Sequence, residues 1–220
     1  KFAFSCKYHL QLDEGRKAEF SFNNIGTFIH HILEKFLQRV FIINNARIPC
    51  LDEIADIVND IIENYISELL PDRKNKTARL LHLIDRLKNM SISIITDLLN
   101  ELSDSSFKPE FFELRIGTKD IPSVKITLHD GSKVSVAGII DRVDVYRKNG
   151  KAYIRVIDYK TGNKTFSISD IKEGLNLQML IYIFSLTQGN KEQLSEIFGG
   201  DPVAAGVTYL TVSASKNTSS

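Results

Sequence analysis

The 220-residue sequence predicts an α/β domain in which one mixed, mostly antiparallel sheet is covered by helices. Three observations predict it. Residues 25–105 read as amphipathic helices, residues 110–160 read as an antiparallel meander, and a helix and a last strand follow. Helices before and after a single run of strands leave a layered arrangement with the sheet between them.

Each element has its own signature. In "IGTFIHHILEKFLQRVFII", residues 25–43, Phe28, Ile29, Ile32, Leu33, Phe36, Leu37 and Val40 recur at helical spacing and form a broad apolar face. Asn23 or Asn24 is the expected N-cap. A second helix spans 51–70, with Asp52 and Glu53 in its first turn and Pro71 as a stop, and a third runs from about Thr77 to Leu102. Past Pro109 the period changes to two. "HDGSK" and "RKNGK" carry the Asp-Gly and Asn-Gly signals of tight hairpins, giving three or four strands between about 110 and 160. Helices are expected over 169–186 and 191–198, a strand over 204–212, and a loose polar tail over 213–220. The stretch from about 44 to 105 reads as a helical insertion within one domain covering 1–220.

Composition narrows the class. With 28 basic and 27 acidic side chains the net charge is +1, so a nucleic-acid footprint would have to be a local patch. No run of 18 apolar residues suggests a membrane span, and two cysteines, Cys6 and Cys50, suit a reducing, cytoplasmic setting. The chain opens on Lys1, which reads as a fragment of a longer protein.

The chemistry concentrates at "YIRVIDYK". Ile154, Val156, Asp158 and Lys160 share one parity, so an apolar strand face ends in two opposite charges. Asp141 lies eight residues before Asn149, and Asp158 eight residues after Gly150. A two-residue hairpin therefore sets the two carboxylates across from one another, where like charges destabilise unless a cation neutralises them. Lys160 beside such a cation can orient a water or stabilise developing charge. A plain strand-end ion pair is the simpler reading of Asp158 and Lys160 alone. Gln178 and Tyr182, four apart on the following helix, can grip a phosphate or a base, or line the core rim. His30 and His31 lie about 100° apart on their helix, so only one can face a given site. His30 is the better candidate.

"GTFIHHILE", "GIIDRVD", "VIDYKTG" and "LNLQMLIY" follow one another in the order of the PD-(D/E)xK nucleases of the RecB type. The sequence most resembles the C-terminal nuclease domain of AddB-like subunits of bacterial helicase–nuclease complexes. That resemblance implies a restriction-endonuclease-like core and Mg²⁺- or Mn²⁺-dependent hydrolysis of DNA, with a helicase partner of the AddA type. It implies Asp141, Asp158 and Lys160 as catalytic residues, His30, Asp141 and Asp158 as metal ligands, and Gln178 and Tyr182 as DNA contacts. Glu113, in "EFFELRIG", matches a family glutamate without an assigned role. AddB-like domains often hold a [4Fe-4S] cluster on four cysteines. Cys6 matches the first, and the three distal ones do not occur, so no complete cluster site is expected in this chain. A catalytically silent DNA-binding or docking module of the same kind of complex is the competing reading.

Overall fold

The computed structural model describes residues 22–44, 46–69, 78–118, 120–127, 129–160 and 177–211. The described chain opens with helices α1 (Phe22–Leu37), α2 (Leu51–Leu69) and α3 (Ala78–Ser103). The helix α1 runs on into a π-helical turn, Gln38–Ile43, that buries Val40. Because α1 begins at Phe22, Asn23 and Asn24 lie inside its first turn rather than capping it, a correction to the expected start. The strands are β1 (Lys108–Ile116), β2 (Lys125–Thr127), β3 (Lys133–Ser135), β4 (Gly138–Lys148) and β5 (Lys151–Lys160). Then come α4 (Gln178–Gln188), α5 (Lys191–Phe198) and β6 (Asp201–Thr211). Residues 169–176 of the expected helix, the tail after Thr211, and Cys6 lie outside the described residues.

The main sheet has the order β1-β4-β5-β6, with β1/β4 and β4/β5 antiparallel and β5/β6 parallel. A parallel last pair demands a crossover, and α4 and α5 supply it. Strands β2 and β3 form a separate hairpin around Gly131 (φ +80°), so the described residues of the meander hold five strands rather than three or four. Asn149 and Gly150 both adopt positive φ, 52° and 73°, the mirror-image turn that matches strand twist.

Two apolar layers enclose the sheet. Ile157 and Tyr159 face α1, α2 and α3 through Phe28, Ile32, Phe36, Val58, Ile95 and Leu102. Ala152, Ile154 and Val156, of the opposite parity, face α4 and α5 through Met179, Leu186 and Phe198. This mixed sheet between helical layers matches the restriction-endonuclease-like core that the resemblance implies. None of the described helices is long and apolar enough to cross a membrane.

Phe36 is completely buried between α1 and its neighbours. Phe36→Ala is expected to cost about 3–5 kcal/mol in urea unfolding. A loss below about 1 kcal/mol would mean this helical layer is not packed against the sheet as described.

Candidate active site

The site begins with strand register. Pairing runs from Lys148↔Lys151 to Arg142↔Ile157, one residue short of Asp141 and Asp158. There the regular ladder stops. The N–H of Tyr159 donates to Oδ2 of Asp141 at 2.8 Å, a carboxylate taking the place of a backbone acceptor. Helix α1 brings His30 to the same point, with Nδ1 3.6 Å from Oδ2 of Asp141. The His30 ring stands edge-on to that of Tyr159, with centroids 5.5 Å apart and planes at 75°. His31 points elsewhere and packs on Tyr65 at 4.8 Å, where burial lowers its pKa. The choice between the two histidines thus follows the helical angle.

Lys160 Nζ lies 2.6 Å from Asp158 Oδ2, and its ammonium sits 5.6 Å from the Tyr209 ring on β6. The 2.6 Å contact is close but not aligned as a hydrogen bond, and Oδ2 of Asp158 has no hydrogen-bond partner although it is buried. The pair is an ionic contact in which the Lys160 ammonium already offsets the charge of Asp158.

Glu113 adds a third acid. Its neighbours on β1 pair with Arg142 and Ile140, so its own position falls opposite Asp141. It holds φ +51°, a left-handed backbone that costs a non-glycine residue on the order of 1–3 kcal/mol in mid-strand. Burial raises the Glu113 carboxyl above its ordinary range, and the charges of Asp141 and Glu34 push the same way. Burial likewise raises Asp141; the Tyr159 N–H and His30 oppose this, and the facing Asp158 adds to it. Both values are raised first by burial and only secondarily by neighbouring acids.

Gln178 and Tyr182 share a face of α4, as their spacing predicts, and Gln178 Nε2 donates to the Tyr182 hydroxyl at 2.8 Å. The phenol lies against Gly138, at the start of β4, where an added Cβ would come within 2.7 Å of Cε1. Gly138 therefore clears room for Tyr182 three residues ahead of Asp141.

Oxygen-rich donors with one imidazole suit a hard divalent ion such as Mg²⁺ or Mn²⁺. Asp141, Asp158 and His30 fit that role by chemistry. Among the described residues, no three His, Cys, Asp or Glu side chains converge tightly enough to cage an ion as they stand, and Asp158 is engaged by Lys160. Cys50 is exposed and free.

The residues that sequence reading did not single out are Arg142, Asp144 and Tyr159, buried behind the carboxylates, and Tyr209 beside Lys160. The signals for Arg142 and Asp144 were two charges inside the otherwise apolar strand "GIIDRVDVY" and their place in the motif "GIIDRVD".

Crowded carboxylates should weaken the metal-free protein. The folded values of Asp141 and Glu113 lie above the unfolded ones, so the native state keeps protons that the unfolded chain has released. Their contribution to stability therefore falls as pH rises above about 4 through the raised values. At pH 7 in chelator, Asp141→Asn is expected to stabilise the fold by up to about 1 kcal/mol, or about 2–4 °C in Tm. Calorimetry showing a lower Tm for Asp141→Asn would contradict this electrostatic account.

Residues 1–219 match the family model of the PD-(D/E)XK nuclease superfamily. Three similar relatives are each a subunit, of one and the same type, of an ATP-dependent helicase/deoxyribonuclease. To the one from Clostridioides difficile (strain 630) the chain is 34% identical over 199 residues, covering 87% of this chain and 17% of that protein. To its counterpart in Clostridium botulinum (strain Loch Maree / Type A3) it is 31% identical over 219 residues, covering 95% and 18%. For that of Clostridium tetani (strain Massachusetts / E88) the values are 31% over 216 residues, covering 96% and 18%. The chain spans less than a fifth of the length of these curated relatives. A match over nearly its whole length, on a mixed sheet enclosed by helices, establishes that the chain belongs to the PD-(D/E)XK nuclease superfamily.

Proposed function

We propose that this chain is the nuclease domain of a larger helicase–nuclease protein. In this reading it is a Mg²⁺- or Mn²⁺-dependent exodeoxyribonuclease acting on single-stranded DNA delivered by an AddA-like helicase partner. Its setting is cytoplasmic double-strand break repair and recombination. The observation that carries the reading is the neighbouring pair Asp141 and Asp158, with His30 at 3.6 Å from one and Lys160 at 2.6 Å from the other. The names of the relatives support the helicase setting.

Hydrolysis joins a water oxygen to phosphorus and breaks the bond to the leaving deoxyribose oxygen. A bound divalent ion supplies Lewis acidity at the phosphate and makes a coordinated water easier to deprotonate. Asp141, Asp158 and His30 are the side chains that would hold it. Lys160, once its carboxylate is engaged elsewhere, has an ammonium free to orient the attacking water and to stabilise charge on the phosphoryl oxygens. Gln178 and Tyr182 form a polar edge beside Gly138 that would hold the strand next to the scissile phosphate.

The protein is expected to degrade end-labelled single-stranded DNA in Mn²⁺, and Asp158→Ala and Lys160→Ala to slow this by about 10²–10³-fold with folding intact. Equal degradation by wild type and both variants would refute the assignment. DNA binding without any Mn²⁺-dependent cleavage would instead favour a silent DNA-binding module.

A further inference from the structure

Behind the carboxylates, on the face that meets α1, α2 and α3, the sheet buries a charged cluster. Arg142 is 1% exposed and Asp144 is fully buried. The Arg142 guanidinium grips Asp144 with two bonds, Nε to Oδ1 at 2.8 Å and Nη2 to Oδ2 at 3.1 Å. Arg155, directly across the ladder from Asp144, adds a bond from Nη2 at 2.8 Å. The remaining end of the Arg142 fork, Nη1, donates to the Tyr159 hydroxyl at 3.1 Å. Tyr159 is the residue whose N–H holds Asp141 and whose ring meets His30.

A buried ionic cluster is a weak way to hold a fold together, because well-packed apolar residues of similar volume often do as well or better. What it provides is a planar fork with fixed directions. Among the contacts described, this fork ends on the one residue that touches both His30 and Asp141.

We propose that Arg142, Asp144 and Arg155 act through Tyr159 as positioning residues, holding His30 and Asp141 in the geometry that binds the divalent ion and so setting metal affinity rather than fold stability. This rests on the metal-site reading above, and the two can fail separately.

The test is calorimetric titration of the full protein with Mn²⁺, with Asp158→Ala as the blank for ions bound elsewhere. Arg142→Met/Asp144→Leu/Arg155→Met replaces the cluster by apolar side chains. It is expected to melt within a few degrees of wild type and to bind Mn²⁺ about tenfold or more weakly. Tyr159→Phe keeps the ring and the N–H but frees the fork. It should weaken Mn²⁺ binding about threefold to tenfold, with KM for DNA unchanged at saturating Mn²⁺. Wild-type Mn²⁺ affinity in a folded triple variant overturns the proposal. If the triple variant does not fold, wild-type affinity in Tyr159→Phe overturns it instead. Identical heats for wild type and Asp158→Ala would remove the metal site itself, and the positioning role with it.

Discussion

The structure depends on one constraint, the β4/β5 register that brings the charges of Asp141 and Asp158 within influence of one another at the edge of the ladder. The Asn149-Gly150 turn holds that register, and a one-residue slip would turn every apolar side chain of β5 to the wrong layer. The apolar faces on both sides of the sheet hold β5 in place, with Val156 and Ile157 both essentially buried immediately before Asp158. Hydrophobic packing thus imposes an electrostatic strain at the strand end, where Lys160 offsets part of it. Such strain, maintained by the surrounding fold, is common where a protein must hold a charged ligand or reacting group.

The neighbours of the pair follow the same logic. Glu113 sits opposite Asp141 on β1 in a left-handed backbone, so a third acid approaches the cluster at a conformational cost. Tyr159 ties the other side down by giving its N–H to Asp141, while its hydroxyl accepts from a buried arginine. Burial pushes the Tyr159 phenol up to about 12, so it stays protonated throughout the range in which nucleases work. Gly138 and Tyr182 link α4 to the start of β4, which explains why a glycine and a tyrosine far apart in sequence belong to one feature.

Much of this was legible in the sequence where the relevant constraint is local. An Asn-Gly turn and period-two strands were enough to place the β4/β5 hairpin and its register as far as Arg142 and Ile157, and helical angle separated His30 from His31. Five described strands stand where three or four were expected, because β2 and β3 are only three residues long and pair in a sheet of their own. Helix α1 starts before its expected cap at Asn23 or Asn24, since capping preference is worth little against a continuing helical run. The Arg142 fork was not legible as a contact, because it joins Asp144 on its own strand to Tyr159 on the next and only the hairpin brings them together. Glu113 illustrates the same limit: its sequence context is an ordinary strand, and the backbone conformation that sets it apart has no residue signature.

The central claim is that the strand-end carboxylates form a divalent-metal site, and a crystal of the protein soaked in millimolar Mn²⁺ tests it most directly. Anomalous density should lie between Asp141 and Asp158, with His30 as a further ligand and metal–oxygen distances of about 2.1 Å. Density elsewhere, or none at all while Asp158 stays against Lys160, would contradict the account.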